Sequence, residues 1–244
     1  MLKKYEQSGE LSYSFETNAD GFAVDEIHDT LWTYDWFYLR LRSAATSEVS
    51  GSVVYELDKV AAAAIDGTDG GIWLAGTSDT RPRNRIIKYS KTLREVSRIE
   101  VGNKPEHISV NMNNGDVWVS WPKNTAAGMR WFVSRYSAEG YHYGDIVCTS
   151  AVEGIVANER TGGCFGQFEN RINEYAPSRE RVGSWAAEGA ITMAVDCKAG
   201  DLFVTANPFK REPYLLKIAG DSKRVAWRIT LNGTDAALVA VSAR

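Results

Sequence analysis

Ile108-Ser-Val-Asn-Met-Asn-Asn-Gly-Asp-Val-Trp-Val119 decides how the chain folds. A short apolar run ends at Asn111, a Gly-containing turn follows, and a strand-forming run built around Trp118 comes after it. The same phrase occurs before and after this stretch. Phe22-Ala-Val-Asp25 precedes Leu31-Trp32, and Ala63-Ala-Ile-Asp66 precedes Ile72-Trp73. Downstream, Ile155-Val-Ala-Asn158 precedes Cys164-Phe165, and Met193-Ala-Val-Asp196 precedes Leu202-Phe203. The anchoring Asp and Asn residues fall 41, 45, 47 and 38 residues apart. A period in this range denotes a propeller or a solenoid.

Between successive phrases lies a second recurrent element, in which two alternating strands flank a polar turn. Arg85-Ile-Ile-Lys-Tyr-Ser-Lys-Thr-Leu-Arg-Glu-Val96 and Phe132-Val-Ser-Arg-Tyr-Ser-Ala-Glu-Gly-Tyr141 are examples. Period-two alternation bounded by Gly, Ser, Asn and Asp predicts hairpins. Each unit then has four strands: an inner one, the aromatic strand, and an outer hairpin. The expectation is an all-β, six-bladed β-propeller of four-stranded antiparallel blades, forming one domain over residues 1–244. The closing blade is shared by the ends of the chain. Leu2–Phe15 reads as an outer hairpin with no inner strands before it, and Ala237–Ser242 as an inner strand with nothing after it. That abrupt end favours a segment of a longer protein.

Composition narrows the function classes. Of 244 residues, 44% are hydrophobic and 24% charged, and eight Trp and eleven Tyr suit pleated sheets. The formal net charge of -3 argues against bulk nucleic-acid binding. No apolar run approaches the ~18 residues of a membrane span, and the first residues carry no signal-peptide core. The expectation is a soluble chain, cytoplasmic by default or excised from an extracytoplasmic parent. Cys148, Cys164 and Cys197 match no CxxC zinc spacing and read as spectator thiols.

The repeat core, in Ile108–Val119 and in Met193-Ala-Val-Asp-Cys-Lys-Ala-Gly-Asp-Leu-Phe-Val204, resembles the NHL-repeat and streptogramin-lyase group of propellers. That resemblance implies the propeller architecture. The repeat Asp and Asn residues themselves are expected to shape turns by bonding nearby backbone amides. Trp32, Trp73 and Trp118 are expected to pack between blades, and His28 and His142 to lie at the surface.

Counting from the repeat Asp or Asn reveals a second register. Five residues upstream stand Asp20, Glu106 and Glu153, and slightly longer junctions place Glu188 and Asp235. In a propeller these positions surround one mouth of the central channel. Converging carboxylates repel unless a cation neutralises them, and an oxygen-rich set suits Ca²⁺ or Mg²⁺. Glu153-Gly154 followed by Asn158 is similar to the end of the metal-binding phrase of gluconolactonase and senescence-marker propellers. The register offers Asp20, Glu106, Glu153 and Glu188 as candidate metal ligands, the resemblance bears on Glu153, and a lactonase-type hydrolase would have His107 as candidate general base.

The loops between second and third strands belong to the same face. They hold Arg81, Arg83 and Arg85, then Trp121, Lys123 and Arg130, then Lys210 and Arg211, as a candidate ligand-binding rim. The first reading is thus a binding module that takes a protein, peptide, glycan or small anionic ligand on its loop face. The alternative is the divalent-metal hydrolase.

Overall fold

The computed structural model describes residues 2–5, 11–15, 19–25, 27–208 and 212–230. Every regular element among them is a strand. Contacts divide the chain into two compact units, Met1–Val101 and Gly102–Arg244.

In the first unit, β1 (Leu2–Tyr5) and β2 (Leu11–Phe15) pair as an antiparallel hairpin. The second sheet runs β3 (Gly21–Asp25), β4 (Thr30–Tyr34), β5 (Tyr38–Ser43), β6 (Val49–Val54). The third runs β7 (Lys59–Asp66), β8 (Gly71–Thr77), β9 (Asn84–Tyr89), β10 (Glu95–Glu100). The second unit opens with β11 (His107–Val110), β12 (Val117–Thr125), β13 (Gly128–Tyr136) and β14 (His142–Cys148). Next come β15 (Gly154–Asn158), β16 (Gly163–Phe168), β17 (Arg171–Tyr175) and β18 (Arg181–Ala186). The last sheet comprises β19 (Ala190–Val195), β20 (Leu202–Ala206), β21 (Tyr214–Ile218) and β22 (Val225–Thr230). All five four-stranded sheets are antiparallel meanders in chain order.

The expected count of six blades is not reached among the described residues. The described residues form five four-stranded sheets, while β1 and β2 pair only with each other. The expected inner strand Ala237–Ser242 and Asp235 lie outside the described residues.

The repeat phrase makes the turn between the first two strands of each sheet. Asp25 Oδ1 accepts from the amides of Ile27 and His28, at 3.0 and 3.1 Å. Asp66 Oδ1 accepts from Thr68, Asn111 Oδ1 from Asn113, and Asp196 Oδ1 from Lys198 and Ala199. Asn158 Oδ1 accepts from Thr161. Four residues after each anchor the backbone enters the left-handed region, at Asp29, Gly70, Gly115, Gly162 and Gly200. Glycine fills that position in four of the five turns because it has no Cβ to clash.

Within each unit consecutive sheets abut through their first strands, β3 against β7, and β11, β15 and β19 in succession. Their cores lie between facing sheets. Trp118, Val133, Ile146 and Cys148 pack against Ala157, Cys164, Phe168 and Tyr175. Phe165 and Ile172 pack against Leu202, Val204, Leu216 and Ile218. Second strands are covered on both faces, so β8 and β16 are buried almost throughout. Trp32, Trp73 and Trp118 are fully buried, as the aromatic spacing predicts. The thiols of Cys148 and Cys164 are buried and free, and burial pushes Cys148 up to about 11.

Candidate functional site

The carboxylate register is real as backbone geometry. The amides of Asp20, Glu106 and Glu153 donate to the carbonyls of Tyr34, Ser120 and Gln167, at 2.8, 2.9 and 2.8 Å. Each residue therefore stands immediately before the first strand of its sheet, opposite the last second-strand residue that pairs with that strand. Glu188 sits one step off this pattern, because Gly189 supplies the carbonyl that Asn207 binds and Glu188 O accepts from the Tyr214 hydroxyl.

Among the described residues, no three His, Cys, Asp or Glu side chains come close enough to hold one metal ion. The second unit does gather a smaller group around His107 on β11. Burial lowers the His107 imidazole below its ordinary value of 6.5. The charges of Glu106 and Glu153 and a hydrogen bond to the Val152 backbone act against that fall without reversing it. A neutral imidazole beside two carboxylates can accept a proton.

The other end of four of the sheets is held by charge. In the third sheet, Lys88 Nζ lies 2.7 Å from buried Asp66 and 2.8 Å from Asp69, with Trp73 beneath it at 5.9 Å. Arg135 Nε reaches Asp116 at 3.1 Å over Trp118, and Lys217 reaches Asp201 at 2.6 Å over Phe203. The β15–β18 sheet inverts the pattern: Glu174 accepts from Asn158 at 3.2 Å and from Lys223 at 2.6 Å. Two of the anchors, Asp66 and Asn158, are thereby held as fold-holding groups. His28 belongs with them, half-buried with Nδ1 at 2.7 Å from Asp25 Oδ2, whereas His142 is exposed beside Asp145.

The rim residues separate into three groups. Arg81 and Arg83 are exposed in the β8–β9 loop. Arg85 is not a rim residue: it is 3% exposed, and its guanidinium bonds Glu56 at 3.1 Å and Thr80 Oγ1 at 3.2 Å. Its position inside β9 turns the side chain onto Glu56 rather than outward. Trp121, on β12, is also buried, stacked on Phe132 at 4.5 Å with Nε1 donating to Ser134 Oγ at 2.7 Å. Lys123 and Arg130 stand on the far part of the β12–β13 hairpin. Lys210 and Arg211 lie outside the described residues.

One feature of the loop end lies outside the predicted rim. Asp35-Trp36-Phe37-Tyr38, joining β4 to β5, exposes 70% of Trp36 and 65% of Phe37. Asp35 fixes this turn from every side. Its Oδ1 accepts from the amides of Phe37 and Tyr38 at 2.9 and 2.8 Å, and its Oδ2 pairs with Arg40. Its amide donates to Tyr38 O at 3.1 Å, and its carbonyl accepts from the Tyr55 hydroxyl. Burial opposes the charge on Asp35, but these hydrogen bonds outweigh it and hold the carboxyl below its usual range. The signal in sequence was three aromatics in a row directly after an Asp, at a hairpin where polar turn residues are the norm. Neither a protein-family model nor a curated protein matches the chain.

Proposed function

We propose that the five four-stranded sheets are blades of a β-propeller, and that the protein is a binding module. It recognises a protein or peptide partner through the loops joining second and third strands. Three repeated features support the architecture: the Asp/Asn turn, the abutting first strands within each unit, and the cores between facing sheets.

The observation that carries the function is the Asp35–Tyr38 turn. Leaving a large apolar side chain in water forgoes about 1.5–3 kcal/mol of burial, yet Trp36 and Phe37 both remain outside. The turn beneath them is fixed by Asp35, so little ordering entropy is lost when a partner covers the rings. Exposed Trp and Tyr on a rigid support are the residue types that dominate interface energetics. No comparable observation favours the metal-dependent hydrolase, for which the four candidate carboxylates would have to converge.

Selection of a displayed random peptide library on the immobilised protein tests this reading. Peptides enriched on the parent should be lost on the Trp36→Ala/Phe37→Ala variant, while its melting temperature stays unchanged. Enrichment that survives the double substitution would refute the assignment of the turn.

A further inference from the structure

The β12–β13 hairpin is longer than the sheet that carries it. β11 pairs with β12 only as far as Ser120, and β14 pairs with β13 only as far as Trp131. Beyond those points a two-stranded ribbon continues alone, pairing Lys123 with Arg130, Asn124 with Met129 and Thr125 with Gly128. Its tip is braced by Thr125 Oγ1, which donates to Gly128 O at 2.7 Å and accepts from the Ala127 amide at 3.3 Å. Its base is anchored by Trp131, packed against the core that contains Trp118 and Val133.

Lys123 and Arg130 are directly opposite on this ribbon, where Cβ atoms lie about 4.5–5.5 Å apart. Like charges so placed repel, and a fold under no other demand avoids them. Neither side chain has an ion pair or hydrogen bond among the described residues. Two residues along, on the same face by strand alternation, lies the stacked Trp121–Phe132 pair, with Phe132 partly exposed. One face thus presents two unneutralised cations next to an aromatic floor.

The ribbon's edge is less available than its face. Ser120 directs its carbonyl outward to Glu106, so Pro122, two residues on, faces the same open edge. A proline there offers no N–H and blocks the addition of another strand. Recognition therefore falls to the side chains.

We infer that the face carrying Lys123 and Arg130 takes a carboxylate of an extended acidic segment of a partner protein, an assignment that rests on the binding-module reading. One carboxylate accepts from both cations and removes their mutual repulsion. Residues i and i+2 of an extended segment are roughly 7 Å apart, the same step as from the cation pair to the aromatic pair. The segment therefore carries an acidic residue two positions from an apolar one. Two cations on a chain of net charge -3 are too few to grip a phosphate backbone, which calls for many Lys and Arg contacts.

Fluorescence anisotropy with a labelled Glu-Ser-Leu-Ser-Glu peptide tests the inference, with Gln-Ser-Leu-Ser-Gln as control. The Gln peptide should bind the parent at least roughly 10-fold more weakly. The Lys123→Ala/Arg130→Ala variant should lose the same factor for the Glu peptide. That variant should melt no lower than the parent, because the substitution relieves repulsion. Equal affinity for the two peptides, an undiminished double variant, or no binding of the Glu peptide to the parent would each overturn it. Tighter binding of a single-stranded oligonucleotide through the same two residues would also overturn it, in favour of nucleic acid. Any of these failures leaves the binding module itself standing or falling separately, on the library selection against Trp36 and Phe37.

Discussion

Asp29 occupies the left-handed position that glycine fills in the four other repeat turns, with φ of 51°. An L-residue there costs about 1–2 kcal/mol, part of which glycine's larger chain entropy offsets. Asp29→Gly is therefore expected to stabilise the protein by up to ~1 kcal/mol, read as a higher midpoint in urea. Gly70→Ala should act oppositely. At φ of 72° its Cβ would meet Asp25 Oδ2 and His28 Nδ1, both at 2.8 Å, and its carbonyl already holds the Trp32 indole at 3.3 Å. A loss of roughly 1–3 kcal/mol follows. Glu159 supplies a pH-dependent counterpart. Burial, helped by the charge of Asp196, pushes its carboxyl from 4.5 up to about 7, against a weaker hydrogen bond from its own amide. Its Oε2 is buried without a partner. The folded state thus favours the protonated form, and Glu159's contribution is full below pH 4.5 and lost as pH rises through about 7. Glu159→Gln should remove that decline, so the variant's advantage in melting temperature grows between those two pH values; a constant offset would show that Glu159 does not titrate there.

In four of the five sheets the aromatic strand is clasped at its turn by a charge from the third strand, and the clasp is where an element fails when altered. Asp66 and Lys88 are both buried. Burial works against the charge on each, yet their mutual hydrogen bond lowers the Asp66 carboxyl and raises the Lys88 ammonium. Asp66 therefore contributes stability above its unfolded value of 3.8 that disappears as pH falls through the lowered folded value. Lys88→Met leaves a buried carboxylate unpaired and should cost about 3–5 kcal/mol by urea unfolding. The double variant Asp66→Asn/Lys88→Met should recover a large part of that loss, since the uncompensated charge is gone. A single and a double variant of equal stability would mean the pair is not the clasp. The inversion in the β15–β18 sheet, Glu174 with Asn158 and Lys223, shows that the clasp tolerates exchange of sign as long as every charge finds a partner.

For the whole molecule, the binding reading implies indifference to divalent cations. Calcium or magnesium at millimolar levels should leave the melting temperature unchanged, whereas a resident site filled only in the folded state would raise it. The repeat made the sheets legible in sequence. Asp25, Asp66, Asn111, Asn158 and Asp196 mark turns because a side-chain oxygen capping the next amides is a local interaction, complete within four residues. The buried Trp32, Trp73 and Trp118 were legible for a related reason, since alternation along a strand fixes which residues face a neighbouring sheet. The carboxylate register is legible as backbone geometry but gathers no group of three ligands among the described residues, because a shared backbone position fixes where Asp20, Glu106, Glu153 and Glu188 leave the chain, and not where their carboxylates end. Arg85 looks like its neighbours Arg81 and Arg83 in sequence, but Glu56, twenty-nine residues away, claims it. Strand period, turn chemistry and the four-strand unit were thus determined by the sequence alone, through forces acting between near neighbours. Which charges are neutralised and which are left free, Asp66 against Lys123 and Arg130, was decided only by tertiary structure, because ion pairing depends on residues that the chain brings together from afar.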